Sequence, residues 1–519
     1  DSAPTLKSTV KKILVWDGGT LELLGKDALT LTQLTAAKNA LFATGSRGVI
    51  SGITISDLAD KTLQELSAAN VALPDAVVES SATPISSSVT VSSITGSAIT
   101  TVDTDAALTL TGSQQDFSKE KGIALDAGTL KLGTANSTGR ALNGNITMQG
   151  AGTTNNVIVE GSNHTIKGDI TTAGTSTNVI TVQGGSHTIS GKVDASTATG
   201  TTINVNNDAT LAVKGGIIGK DATTVINVGN SDSKGTLIAS DLDMRGGRID
   251  FDPPFVADGD TSNASMGGLT FASDTVNALM NVGQNSMVSL GSTDAGWLRN
   301  EVANYQNLGH GLWGKDVTAA LALRAPQTLD AAGGINVDGT WTNPGAPATA
   351  DTAKFAAKSL LVVDAAGVGD NVALTGDSGG TSTLTVDAGA KLHIVGGKGG
   401  ATVNITDGFG ASTKAADSWT DDNLTTSSAL LSATGSPFAA ATGTYSVTLK
   451  ANDATSIFPR LSHEMGGLVN HMVVQTGINP TSDNAGVRFV SRAVSDNYIG
   501  RQDRDKAAAT IEGAAQIAP

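Results

Sequence analysis

The stretch VIVEGSNHTIKGDI, Val157 to Ile170, falls onto ITVQGGSHTISGKV, Ile180 to Val193, when the chain is shifted to lay Val157 on Ile180. Gly161 and Gly184, His164 and His187, Thr165 and Thr188, Ile166 and Ile189, and Gly168 and Gly191 then coincide. The same shift keeps the apolar pairs Val157/Val159, Ile180/Val182, Ile203/Val205 and Ile226/Val228 in phase, and Gly144, Gly168, Gly191 and Gly215 recur at nearly the same interval. Self-similarity at this period belongs to a solenoid.

Each repeat contains short apolar-polar-apolar triplets separated by Gly, Ser, Asn or Asp. Alternation of period two places Ile203 and Val205 on one face and Asn204 on the other, so a triplet reads as a narrow strand with one buried face. Such a strand needs partners above and below. The fold expected is therefore all-β, a right-handed parallel β-helix with coils of about 23 residues in which inward side chains stack into aliphatic columns. Gly, Asn and Asp supply the positive φ angles at the corners. Each buried aliphatic side chain contributes ~1.5–3 kcal/mol, so four or five of them only roughly offset the ordering of one coil. Stability then comes from stacking many coils.

Composition agrees. The 519 residues exceed a usual single globular domain, yet aromatics are 3% and glycines number 62, too lean for several compact cores but suited to a solenoid. A net charge of −15 argues against nucleic acid or an anionic membrane as the main partner. Zero cysteines exclude disulfides, thiolate metal sites and cysteine nucleophiles. No apolar run reaches the roughly 18 residues that a membrane-spanning helix needs. The opening DSAPTLKSTV lacks a basic and apolar leader, so either the chain was never exported or its signal has been removed, and removal is the expectation.

In chain order, 1–84 reads as an N-terminal cap with two short helices, in Asp27 to Ala43 and in Ser56 to Asn70, the second with Ser56 as N-cap. Between them GVISGITI, Gly48 to Ile55, reads as a strand pair or a solenoid turn. Coils follow over 85–255 and end at the prolines of DFDPPF, Asp250 to Phe255. The span 256–353, which holds Trp297, Trp313 and Trp341, reads as an irregular insertion or side domain. Coils resume over 354–443, where Leu361/Val363 and Leu384/Val386 stand at the same spacing as the central pairs. The last span, 444–519, reads as a strand from Thr444, a helix carrying Leu461, Met465, Leu468 and Met472, and a closing Ala-rich helix.

A Gly/Ser/Thr/Asn-rich β-helix without cysteine, a less repetitive C-terminal section and the run DRDKAAATIEGAAQIAP, Asp503 to Pro519, together resemble the passenger of a type V autotransporter. In that family a helix threads an outer-membrane barrel during export, and Lys506 to Ala518 resembles its start, with Ala507, Ala508, Ala509, Ala514 and Ala515 small enough for a narrow lumen. The resemblance implies a bacterial surface or extracellular location and that barrel as an export partner. The strands of a barrel are not among these residues.

Catalytic motifs are matched only in part. GDSGG, Gly376 to Gly380, has the letters of a serine-protease nucleophile loop, but Ser378 sits between Leu374 and Leu384 and reads as a coil corner. HEMGG, His463 to Gly467, lacks the second histidine of a zinc helix, and His471 lies two turns on. GHGLWGKD, Gly309 to Asp316, has Asp316 where a phosphate loop needs Ser or Thr. NSDSKG, Asn230 to Gly235, puts Lys234 at a calcium-ligand position. Asp103/Asp105 and Asp258/Asp260 lack partners for an ion. His164 and His187 could stack as a metal pair, but Thr210 takes their place at the same spacing, which reads as outward or corner positions.

These readings predict no catalytic, cofactor or metal residues, no cofactor and no enzymatic activity. The function expected first is a surface passenger that adheres to glycans, to proteins or to copies of itself through a polar face of Thr, Asn and Ser. A structural subunit of a surface layer, sheath or filament is the alternative. A glycan-active β-helix enzyme is the second, and a carboxylate cluster beside Trp297, Trp313 or Trp341 is its mark.

Overall fold

The computed structural model describes residues 20–22, 28–42, 49–79, 82–95, 98–103, 105–112, 122–230, 232–251, 261–271, 278–305, 317–329, 333–340, 352–369, 371–377, 379–395, 402–415, 418–419, 429–434, 445–451, 472–475 and 488–491. The chain divides into two units: 1–255 with 269–279, and 256–268 with 280–519. The fold is a parallel β-helix.

In the first unit a coil has three strands, for example Thr154–Glu160, His164–Ile166 and Ile170–Thr172. Each pairs in parallel with its counterpart in the next coil, Thr177–Gln183, Ser186–Ile189 and Val193–Asp194. The register turns period-two alternation into continuous columns. Val89, Leu108, Leu130, Val157, Ile180, Ile203, Ile226 and Ile249 follow one another coil by coil. All eight are fully buried. A polar column runs beside them: Asn155, Asn178, Thr201 and Thr224 are buried in register, and Asn155 Nδ2 donates to Asn178 Oδ1 at 3.0 Å. Stacking thus pairs buried amide groups, with Asn178 Nδ2 donating in turn to Ser176 Oγ at 3.1 Å.

The glycine column has a different cause from the one expected. Gly168, Gly191 and Gly215 do not adopt positive φ. A Cβ on Gly168 would strike the carbonyl oxygen of Gly144, and one on Gly191 would lie 2.6 Å from that of Gly168. Close approach of successive coils demands these glycines.

The N-terminal helices are α1, Leu31–Leu41, and α2, Leu63–Ala69. Both start with a capping box, Thr30 with Gln33 and Thr62 with Glu65, so Thr62 rather than Ser56 caps α2. The amide of Ser56 instead donates to Leu29 O at 2.8 Å, continuing a bridge between Leu29 and Ile55. Leu34, Leu63 and Leu66 are fully buried. Ser67 on α2 donates to Ser87 O and accepts from Ser87 N, fastening the helix to the first coils. GVISGITI supplies the strand Val49–Ser51, paired in parallel with Thr20–Glu22. The coil ladder is already under way at Ala72–Glu79, which pairs with Val89–Thr95.

In the second unit coils run through the span expected to be an irregular insertion or side domain. Ser286–Leu290, Ala319–Leu323, Ser359–Asp364 and Lys391–Val395 form one parallel ladder. Gly333–Val337, Thr352–Phe355, Thr383–Val386 and Ala411–Lys414 form another. In the first of these ladders the period-two signal is missing because Ser286–Leu290, Ala319–Leu323 and Ser359–Asp364 are buried on both faces, whereas Thr352–Phe355 and Thr383–Val386 keep their alternation. Helix α3, Trp297–Tyr305, lays Leu298 and Val302 on outward residues Met287, Ala320, Ala322, Leu360 and Val362. The spacing of Leu361 and Leu384, equal to that of the central repeat, is a coincidence: Leu361 pairs with Leu392, and Leu384 with Ala353, so the coil here is longer. The short helix α4, Ala365–Val368, lengthens it.

A third ladder, Gln327–Thr328, Val372–Thr375 and Thr402–Asp407, passes to antiparallel pairing with Tyr445–Ala451 and then Ala429–Thr434. Trp419 is buried edge-on against Phe355, ring centroids 5.1 Å apart. The helix expected to carry Met472 does not reach it: Met472–Gln475 is a strand antiparallel to Arg488–Ser491, as the β-branched pair Val473 and Val474 favours. The Asp252 to Phe255 break, the rest of that helix and the Ala-rich helix at Lys506 to Ala518 lie outside the described residues.

Ile203→Ala is expected to cost about 2–5 kcal/mol in denaturant unfolding, and Gly191→Ala about 1–3 kcal/mol through overpacking. The outward Thr181→Ala is expected to stay within about 0.5 kcal/mol.

Candidate functional site

The outward positions of the first unit are stacked as strictly as the inward ones. Asn156, Val179, Thr202 and Val225 form one column, and Ile158, Thr181, Asn204 and Asn227 the next. Each is half-buried by its neighbours in the column. Asn227 Nδ2 donates to Asn204 Oδ1 at 2.9 Å, so an amide ladder lies on the surface. A second face carries Thr147 and Thr171 in register, and a third Ala141, Thr165, Thr188, Ala212 and Ile238. These columns repeat hydrogen-bonding groups at the ladder spacing of ~4.8 Å.

His164 and His187 are not on this surface. They pair in register and are 1% and 3% exposed, against the outward or corner position expected. The next coil places Leu211, not Thr210, after His187, because that coil is longer by a single residue; Thr210 pairs with Ser186. Period-two alternation with Ile166 and Ile189 was the signal for an inward position. The rings lie 5.2 Å apart. Nδ1 of His164 accepts from the Arg140 main-chain amide at 3.0 Å, and Nε2 lies 2.8 Å from Glu160 O and 3.0 Å from Ser137 Oγ. A carbonyl only accepts, so Nε2 bears the proton and cannot take one from Ser137. The buried Ser-His contact is a core hydrogen bond, not an activated nucleophile.

In the second unit, the Arg324 guanidinium stacks 4.4 Å over the Trp297 ring at the start of α3. Its Nη1 donates to Ser292 Oγ at 2.9 Å and lies 3.8 Å from Asp294 Oδ2. Its Nε lies 3.7 Å from Asp364 Oδ2. This is a carboxylate cluster beside Trp297. Its members are, however, engaged with the fold: Asp364 caps α4 through the amides of Ala366 and Gly367, and Asp294 accepts from the Gly296 amide. Together they pin the N-terminal end of α3. Trp313 and Trp341 lie outside the described residues.

Of GDSGG, Ser378 lies outside the described residues, and Asp377 organises the turn. Asp377 accepts from Gly379 N, from Thr381 N and Oγ1, and from Ser382 N and Oγ, at 2.7–3.2 Å. Burial raises its pKa, but the Ser382 and Thr381 bonds outweigh this and hold the carboxyl at about 2. A cavity of about 350 Å³ opens beside it, lined by Thr328, Thr375, Gly408 and Phe409 among others. Asp377 lines this cavity too, but its carboxylate is spent on its own loop.

At NSDSKG, Asn230 Oδ1 accepts from Asp232 N, Ser233 N and Ser233 Oγ, folding the loop on itself. Asp103 pairs in register with Asp126. Among the described residues no group of three or more His, Cys, Asp or Glu is placed to hold a metal ion. His463 to Gly467, His471, Gly309 to Asp316, Asp258 and Asp260 lie outside them.

Arg324→Ala is expected to lower unfolding stability by about 1–3 kcal/mol and to red-shift tryptophan emission as Trp297 is uncovered. Arg324→Lys should restore only part of the loss, because an ammonium cannot stack and fork in the same way. No family model, no curated protein and no solved structure matches this chain.

Proposed function

We propose that this chain is a bacterial surface-displayed passenger, of the autotransporter kind, whose β-helix adheres to glycans, to proteins or to copies of itself. One observation supports the reading above the others. Columns such as Ile158, Thr181, Asn204 and Asn227 repeat one coil after another on an outward face, with the Asn204–Asn227 amide ladder among them. A periodic array of half-buried amides and hydroxyls matches a periodic partner, either an extended glycan or another β-helix. The net charge of −15 keeps such a chain soluble and away from nucleic acid.

The same periodicity supports the structural alternative, a subunit of a layer, sheath or filament, since identical faces can pack side by side. For the glycan-active alternative the support is the Arg324, Asp294 and Asp364 cluster at Trp297. That support is slighter, because the groups satisfy one another.

Thr181→Lys together with Asn204→Lys places two cations ~4.8 Å apart in one column without touching the core. Sedimentation and bead-clustering assays are expected to show self-association in the native protein and its loss in the double variant. Glycan-array binding lost in the same variant would make the partner a glycan, and ordered sheets or filaments in electron micrographs would favour the structural subunit. A native protein that stays monomeric and binds no glycan or protein sinks the adhesive reading.

A further inference from the structure

One inward column of the first unit changes chemistry as it crosses the coils. Arg140 immediately precedes Ala141, the register partner of Thr165, so it stands one coil before His164. His187, Leu211 and Leu237 continue the column. Arg140, His164 and His187 are all more than nine-tenths buried. Three basic side chains are therefore stacked in an interior that is leucine from the next coil on.

The hydrogen bonds leave no room for a second proton. His164 Nε2 donates to Glu160 O, and its Nδ1 already accepts from the Arg140 amide. A proton on Nδ1 would set donor against donor. His187 donates from Nε2 to Gly184 O and Gln183 O, and its Nδ1 is buried without a hydrogen-bond partner. The Gly161 carbonyl also favours a protonated ring, but burial outweighs it together with Gly184 O and Gln183 O, so a second proton is disfavoured there.

Among the described residues no carboxylate is placed to compensate. His164 faces the Arg140 side chain from one coil and the His187 ring from the other. Arg140 Nη1 donates to the main-chain oxygen of Gly112. Glu160 contributes its main-chain oxygen, while its side chain occupies the outward, half-buried position beside Val159. Gln183 and Gly184 likewise offer carbonyls, and Leu211 closes the far side of His187.

We propose that the Arg140–His164–His187 column is an acid-sensitive seam: neutral imidazoles close it, and a proton taken up by either one separates the coils between residues 134 and 191. Burial pushes both imidazoles down, that of His164 to about 4 against the pull of Glu160 O, with His187 and Arg140 adding to the fall. In the open chain an imidazole titrates near 6.5. Between those values the open state binds more protons than the closed one. The closing contribution is therefore complete above ~6.5 and is lost as pH falls toward the folded value. Across that window the opening equilibrium rises roughly tenfold per pH unit through His164, and His187 acts in the same direction.

Hydrogen exchange of the full chain, corrected for the intrinsic pH dependence, tests this between pH of about 7 and about 5, above the range where ordinary carboxylates titrate. Peptides within 157–193 are expected to lose protection by about tenfold or more per pH unit. His164→Leu with His187→Leu, which extends the leucines already present in the column, is expected to remove that dependence. Protection independent of pH in the native protein, or the same loss in the double variant, overturns the proposal. Should the double variant not fold, imidazole carbon NMR of the native chain decides, with resonances assigned from His187→Leu. Both rings neutral in the closed coils at a pH of about 5.5, with protection already falling below a pH of about 6.5, supports the seam. Both protonated with protection intact rejects it.

Discussion

Parallel stacking of one coil on the next is the constraint from which the other features descend. It requires each inward position to find a compatible side chain at the same place one coil away. Apolar positions meet it by repetition, as in the column from Val89 to Ile249. Polar positions meet it by bonding to their own kind, as Asn155 does with Asn178. Close approach also excludes side chains at the coil contacts of Gly168, Gly191 and Gly215.

The outward faces obey the same register but answer to what covers them. In the first unit they carry Thr, Asn and isolated aliphatics, half-buried by one another. In the second unit α3 covers Met287, Ala320 and Leu360, and the outward residues there are apolar. A helix on a solenoid face thus turns an alternating strand into a continuous apolar one. The Arg324 contacts with Trp297, Asp294 and Asp364 fix where that helix begins.

The polar groups that resemble catalytic sets are consumed by local structure: Asp377 by its turn, Asn230 by its loop, and Ser137 with His164 by the core. Among the described residues the repeated surface carries polar groups in register from coil to coil. The buried basic column of Arg140, His164 and His187 belongs to the same stack, so coil stacking sets both the outward face proposed for adhesion and the seam proposed to open in acid.

By itself the sequence determined the solenoid, its period over the central coils, the inward aliphatic set and the two N-terminal helices, because alternation, turn residues and capping boxes are local signals. Only the tertiary structure decided the rest. A slight change in coil length moved Leu211 into the place read for Thr210, and the true partner of Leu361 proved to be Leu392. Such slips are invisible locally, since a strand's partner lies a whole coil away and the length of that coil is set by insertions such as α4. Strands covered on both faces lost their alternation and read as irregular. The meeting of Arg324 with Trp297, and of Arg140 with His164, likewise depends on register across coils, which hydrogen bonding between distant strands fixes and sequence spacing does not.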